Sequence, residues 1–206
     1  PVRTAAIRSR NRLMGDSEVG ESTSSRSWLE RVAQVFSAEP SSRAELMAIV
    51  RDAAERSILD AEALGIIDGA MAVSEMQARD IMIPRAQVVF VRADEKPEEF
   101  LPTVIDSQHS RFPVIGEDFD DVRGVLHAKD LLPLALTRRL EQFRLKDLIR
   151  QAPIIPESKR LNVLLTEFRE NRNHMAIVVD EYGSVAGVVT IEDVLEQIVG
   201  EIEDEH

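Results

Sequence analysis

The sequence predicts an α+β fold assembled from two related halves, and three observations carry that reading. One stretch returns without a gap at an offset of 63 residues. In each copy, apolar residues three and four positions apart, as on one helical face, precede two short apolar runs of strand length. A polar turn separates those runs, in the second copy Asp180-Glu-Tyr-Gly183. Strand, turn and strand between helices make a small antiparallel sheet with helices, twice over.

A repeat of this kind decides the architecture before any single residue does. Ser110-Arg-Phe-Pro-Val-Ile-Gly-Glu117 lies over Asn173-His-Met-Ala-Ile-Val-Val-Asp180. In the same register Gly124 falls on Gly187, Val125 on Val188, Asp130 on Asp193 and Leu132 on Leu195. Upstream, Leu101 meets Leu164 and Ile105 meets Phe168. The register breaks only near the start, where Asp80-Ile-Met82 corresponds to Asp147-Leu-Ile149.

Taken in chain order, residues 1 to about 27 hold much Ser, Gly and Arg and few large apolar side chains, so they read as disordered, with linker to residue 41. Residues 42–74 form a helical segment. Ser42-Arg-Ala-Glu45 is a capping box that opens a helix through Leu46, Ile49 and Val50. A second helix starts near Asp60 and carries Leu64, Ile67 and Met71; together they brace the repeat pair. The first repeat domain spans 75–138. Its helix begins at Pro97, with Glu98 and Glu99 toward the positive end of the dipole, and buries Phe100, Leu101, Val104 and Ile105. Strands at Phe112 to Ile115 and Val122 to Leu126 lead to a closing helix. The second domain, 139–202, repeats the plan with a helix burying Leu161, Leu164, Leu165 and Phe168, strands at Met175 to Val179 and Val185 to Val189, and a closing helix.

Composition limits the function. Hydrophobic residues reach 44% and aromatics only 4%, so the core is built mostly from Val, Ile, Leu, Ala and Met. Without cysteine, disulfides, thiolate zinc sites and thiol catalysis are excluded, and a cytoplasmic setting is expected. A net charge of −12, from 37 acidic and 25 basic residues, argues against a sequence-independent grip on nucleic acid. No apolar run approaches the ~20 residues that cross a bilayer. The histidines, His109, His127, His174 and His206, lack metal-ligand spacing. Glu201, Glu203, Asp204 and Glu205 read as solvated tail carboxylates, so no resident metal is expected. No Ser/His/Asp arrangement and no phosphate-cradling Gly-rich loop supports an enzyme.

The sharpest local signal is Gly187-Val-Val-Thr190-Ile-Glu-Asp193, at the junction of a strand and a helix. A helix start presents unpaired N–H groups and a positive dipole end, which suit phosphate. Thr190 adds a hydroxyl donor, Asp193 offers two acceptor oxygens suited to a ribose diol, and Gly187 allows close approach to the backbone. Thr-x-x-Asp is equally a variant capping box that binds nothing, and both readings stay open. In the first copy, Gly124-Val-Leu-His127-Ala-Lys-Asp130 has His where the hydroxyl belongs.

These motifs resemble the CBS-domain pair, whose strand–helix junction carries Gly, then Thr or Ser, then Asp. Arg79-Asp-Ile-Met-Ile-Pro-Arg85, His109-Ser-Arg-Phe-Pro-Val114, Ala128-Lys-Asp-Leu-Leu132 and the long run from Asp180 to Asp204 are similar to the CorC/hemolysin C family of magnesium and cobalt efflux proteins. The resemblance implies two motifs packed sheet to sheet with nucleotide clefts between them, and homodimers that form a disc. It implies binding of AMP or ATP, with Mg2+ carried on the phosphates, in a regulatory module linked to a membrane ion transporter. By position, Thr190 would hold phosphate and Asp193 the ribose. His109 and Arg111 would line the site, Met175 and Ala176 would flank adenine, and Arg85 would meet phosphate. The resemblance is to the soluble branch, without a membrane domain. The sequence stops where that branch continues into a C-terminal transporter-associated domain, which is therefore expected to be missing. A structural dimerisation module with no ligand is the alternative.

Overall fold

The computed structural model describes residues 40–133 and 144–200. Two compact units divide the chain, Pro1–Ile49 and Val50–His206, and the repeat lies wholly in the second. Helix α1 spans Arg43–Glu55. Its start is capped twice: the Ser42 hydroxyl accepts from Glu45 N–H at 3.2 Å, and the Glu45 carboxylate reaches one residue further back to accept from Ser41 N–H at 2.7 Å. These bonds to Ser41 hold the Glu45 carboxyl below its ordinary range.

Helix α2 (Ala61–Val73) starts where the sequence places it, with Asp60 Oδ1 accepting from Ala63 N–H at 2.7 Å. It lies along the last helix, α6 (Ile191–Val199). Gly69 permits this: a Cβ there would stand 2.4 Å from the Ile198 carbonyl oxygen. Between α2 and the first copy come the short α3 (Ala78–Ile81) and β1 (Ile83–Pro84).

The first copy contains β2 (Val91–Arg92), α4 (Pro97–Ser107), β3 (Arg111–Ile115) and β4 (Val122–His127). The second contains β5 (Ile154–Pro156), α5 (Leu161–Asn171), β6 (Met175–Val179), β7 (Val185–Thr190) and α6. Each has an antiparallel pair, as the alternation predicts, and each adds a parallel strand the periodicity did not reveal: β2 beside β3, and β5 beside β6. Two or three residues are too few to show a period.

The segments that lead into each copy cross over. β1 precedes the first copy yet pairs antiparallel with β7 of the second, Pro84 opposite Gly187. Arg150 precedes the second copy yet bridges Val125 on β4 of the first. Glycine makes both approaches possible. A Cβ on Gly187 would stand 2.2 Å from the Ile83 carbonyl oxygen, and one on Gly124 would stand 2.2 Å from that of Arg150. The close approach expected at Gly187 is thus made by the protein's own backbone. At Gly124, φ of +143° adds a second reason for glycine.

Strand alternation divides the apolar side chains between faces. Ala176 and Val178 of β6 face the helices with Leu161, Leu164, Phe168 and Val194. Phe112 and Val114 of β3 do the same with Phe100, Val104 and Leu126. Ile177, Val185 and Val188 pack instead with Ile83, Val88 and Val122, joining the two copies. One expectation changes. Ile105 does not join the core but stays 69% exposed, because α4 buries only the stripe through Phe100 and Val104. The closing helix of the first copy opens with a 3-10 turn, Ala128–Leu131, and continues as α-helix at Leu132, beyond which it lies outside the described residues. The tail carboxylates lie outside the described residues. Among those residues, no helix is long and apolar enough to cross a membrane.

Candidate functional site

Because β3 and β6 each present alternate residues to the other copy, a cleft opens between the copies where those strands begin. Its volume is about 320 Å³, at the lower end of the ~300–1,000 Å³ usual for organic ligands. Gln87, His109, Arg111, Met175, Thr190 and Glu192 are among its lining residues.

Thr190 ends β7 in extended conformation and caps α6. Its Oγ1 accepts from Asp193 N–H at 3.2 Å and donates to Asp193 Oδ2 at 2.8 Å, while Thr190 N–H donates to the same Oδ2 at 2.7 Å. The capping box read from the sequence is therefore complete. Asp193 stands behind Thr190 rather than on the cleft wall, and its Oδ1 takes no partner among the described residues.

Arg111 enters from the other copy. Its guanidinium donates to Glu192 Oε1 at 3.2 Å, and His174 Nδ1 stands 3.6 Å from the same oxygen. Glu192, like Gln87, is a cleft residue that sequence reasoning missed. Nothing in the sequence shows that it meets an arginine 81 residues earlier. His109 is exposed, with its ring 6.2 Å from that of Phe112.

Two further expected site residues are not brought to this cleft. Ala176 is one position past Met175 on a strand, so its side chain turns to the opposite face and is fully buried among the helix-side apolar residues. Arg85 lies elsewhere: it stands 4.0 Å from Asp120 and packs over the Phe119 ring at 5.9 Å. Asp120 also accepts from Val185 N–H at 2.7 Å, so this cluster ties the first copy's turn to the second copy's strand.

A second cavity of about 100 Å³ occupies the repeat-related position, with His127, Arg150, Arg172, Asn173 and His174 among its walls. There Asp130, the counterpart of Asp193, accepts from Arg150 at 2.8 Å and 3.2 Å. Desolvation first, then the charges of Arg150 and Arg111, hold the His127 imidazole below its ordinary pKa. Among the described residues no three His, Asp or Glu side chains form a metal-holding group.

The CBS domain family matches twice, over residues 78–136 and 145–200. The chain belongs to the CBS-domain family. The N-terminal region of NMB0537 matches residues 38–73. The chain is 47% identical over 190 residues to the magnesium and cobalt efflux protein CorC of Vibrio cholerae, covering 92% of this chain and 65% of that protein; it thus spans a little under two thirds of that relative's length. Among solved structures it resembles the CBS domain of a bacterial CNNM/CorC family Mg2+ transporter in complex with ATP. The TM-score is 0.63 and the identity 38%, over 67% of this chain and 97% of the other. It also resembles a CBS-domain pair with bound AMP from Klebsiella pneumoniae, with TM-score 0.55 and 28% identity, over 61% of this chain and 99% of the other.

Proposed function

We propose that this CBS pair is a regulatory module that binds an adenine nucleotide, AMP or ATP, in the cleft lined by Thr190, His109 and Arg111. The observation that carries the reading is the meeting there of a helix-start threonine from one copy with His109 and Arg111 from the other. Phosphate would take the first-turn N–H groups of α6, the Thr190 hydroxyl and the Arg111 guanidinium, a cation whose fork matches phosphate oxygens. Asp193 Oδ1 would accept from the ribose, and Met175 with His109 would flank the base. Mg2+ would travel on the ATP phosphates. A nucleotide bridging both copies favours one arrangement of the pair, which an attached partner can read. The names of its relatives point to a membrane transporter of magnesium and cobalt as that partner, with the module on the cytoplasmic side and paired with a second copy. No catalytic step is involved.

The ATP and AMP complexes of the two similar structures support this reading. The closed Thr190–Asp193 cap favours a second one, a pairing module with no ligand. Calorimetric titration with AMP and then ATP, each with and without Mg2+, separates the two. Binding that falls on Thr190→Val and is lost on Asp193→Ala, with melting showing a folded variant, supports the nucleotide module. Because Asp193 also caps α6, Asp193→Ala should by itself cost about 1 kcal/mol of stability. No heat with either nucleotide gives first place to the ligand-free module.

A further inference from the structure

The copies share one more position, at the strand ends away from the clefts. Phe119, in the turn between β3 and β4, falls at the offset of 63 on Tyr182, in the turn between β6 and β7. Each aromatic follows a carboxylate, Asp118 in one turn and Glu181 in the other. In a chain with 4% aromatics and a single tyrosine, aromatics at equivalent turn positions belong to the repeat rather than to bulk composition. Both rings are exposed, Phe119 to 52% and Tyr182 to 87%. The two turns meet through Asp120, which accepts from Val185 N–H.

The first tip shows what such a ring and carboxylate hold. The Arg85 guanidinium lies over the Phe119 face at 5.9 Å and stands 4.0 Å from Asp120. The ring quadrupole attracts a guanidinium, and a neighbouring carboxylate adds to the pull. The second tip offers the same pair of groups, yet among the described residues no cation stands over Tyr182 or beside Glu181. Its backbone holds that ring outward. Asp180 Oδ1 accepts from Tyr182 N–H and from Ser184 N–H, each at 2.9 Å, and Gly183 takes φ of +85°. A side chain presented on a fixed turn has less freedom to lose when a partner covers it.

We propose that the paired tips are a docking surface for an arginine- and lysine-rich segment of another protein, with one guanidinium over Tyr182 and against Glu181. Charge selects this occupant: the tip carboxylates repel an anionic lipid surface, and a second copy meeting tip to tip would bring like charge. Loops on the cytoplasmic side of membrane proteins carry an excess of Lys and Arg. That match to a transporter rests on the reading above, whereas the surface itself does not.

Because Tyr182 is the one tyrosine, fluorotyrosine incorporated into the full chain gives a single fluorine resonance at this site. Titration with a hexa-arginine peptide should move that resonance saturably, and hexa-glutamate should not. By calorimetry, Tyr182→Ser should weaken hexa-arginine binding about two- to fivefold, the effect of one exposed cation–π contact, and Glu181→Gln should weaken it too. Glu170→Gln removes an equal charge from α5, at the cleft end of the copy, and should change nothing. All three side chains are exposed, so the variants should melt as the parent does. A stationary resonance, or unchanged affinity in Tyr182→Ser, overturns the proposal. So does a loss in Glu170→Gln equal to that in Glu181→Gln, which would reduce the binding to diffuse charge attraction. A resonance that moves when the chain alone is concentrated puts a second copy at the tips and also overturns it. Thr190→Val should leave hexa-arginine affinity intact, so failure of the nucleotide reading and failure of this one are told apart.

Discussion

At the end of β7, Thr190 and Asp193 close a reciprocal cap on a helix, while at the end of β4 the same backbone positions hold His127 and Asp130, and Asp130 turns to Arg150 instead. One junction keeps a hydroxyl and an open carboxylate oxygen; the other has exchanged them for an imidazole and an ion pair. The backbone plan is shared down to the crossing segment that each glycine admits. Divergence therefore sits in side chains, with Thr190 on the wall of one cleft and His127 on that of the other. A repeat conserves where a site can form without conserving what fills it.

The largest test of this comparison is in the cores. Phe168 and Ile105 are repeat partners, but Phe168 is 1% exposed and Ile105 69% exposed. Phe168→Ala should cost about 3–5 kcal/mol through lost burial and a residual cavity. Ile105→Ala should stay within about 0.5 kcal/mol. Denaturant unfolding measures both, and comparable losses would show that Ile105 is covered in the working protein.

A smaller effect distinguishes the junctions. Thr190→Ala removes a cap and should lower stability by about 0.5–2 kcal/mol. His127→Ala removes none and should cost less. Equal losses would mean that the 3-10 turn after β4 depends on His127 as α6 depends on Thr190.

The smallest effect is a pH dependence. His127 resists protonation in the folded protein through desolvation and its arginine neighbours. Between its folded pKa and the ordinary value near 6.5, the unfolded chain binds more protons. Stability therefore rises with pH through that window and falls on acidification across it. His127→Gln should flatten this part of the profile in thermal melts across pH 5–7, a range taken around the usual histidine pKa. An unchanged slope would assign the effect elsewhere.

Much of this was legible in the residues. The offset of 63 located both copies, Asp60 marked a helix start, and Pro97 with Glu98 and Glu99 marked another. The Thr190–Asp193 spacing announced its capping box, because caps depend on neighbours three positions apart. Met175 against Ala176 shows where such reading stops. A resemblance places both near a ligand, but strand alternation sends only one toward the cleft.

The sequence by itself determined the repeat, the helix starts and the apolar stripes, since these rest on local spacing and on a period that one chain can display. The tertiary structure decided that β1 joins the sheet of the later copy, that Glu192 meets Arg111, that Arg85 belongs to a tether at Phe119 and Asp120, and that three arginines share one cavity. Each joins positions far apart along the chain. Their meeting depends on which strand edges and faces are left open once the local elements have formed, and no local pattern encodes that.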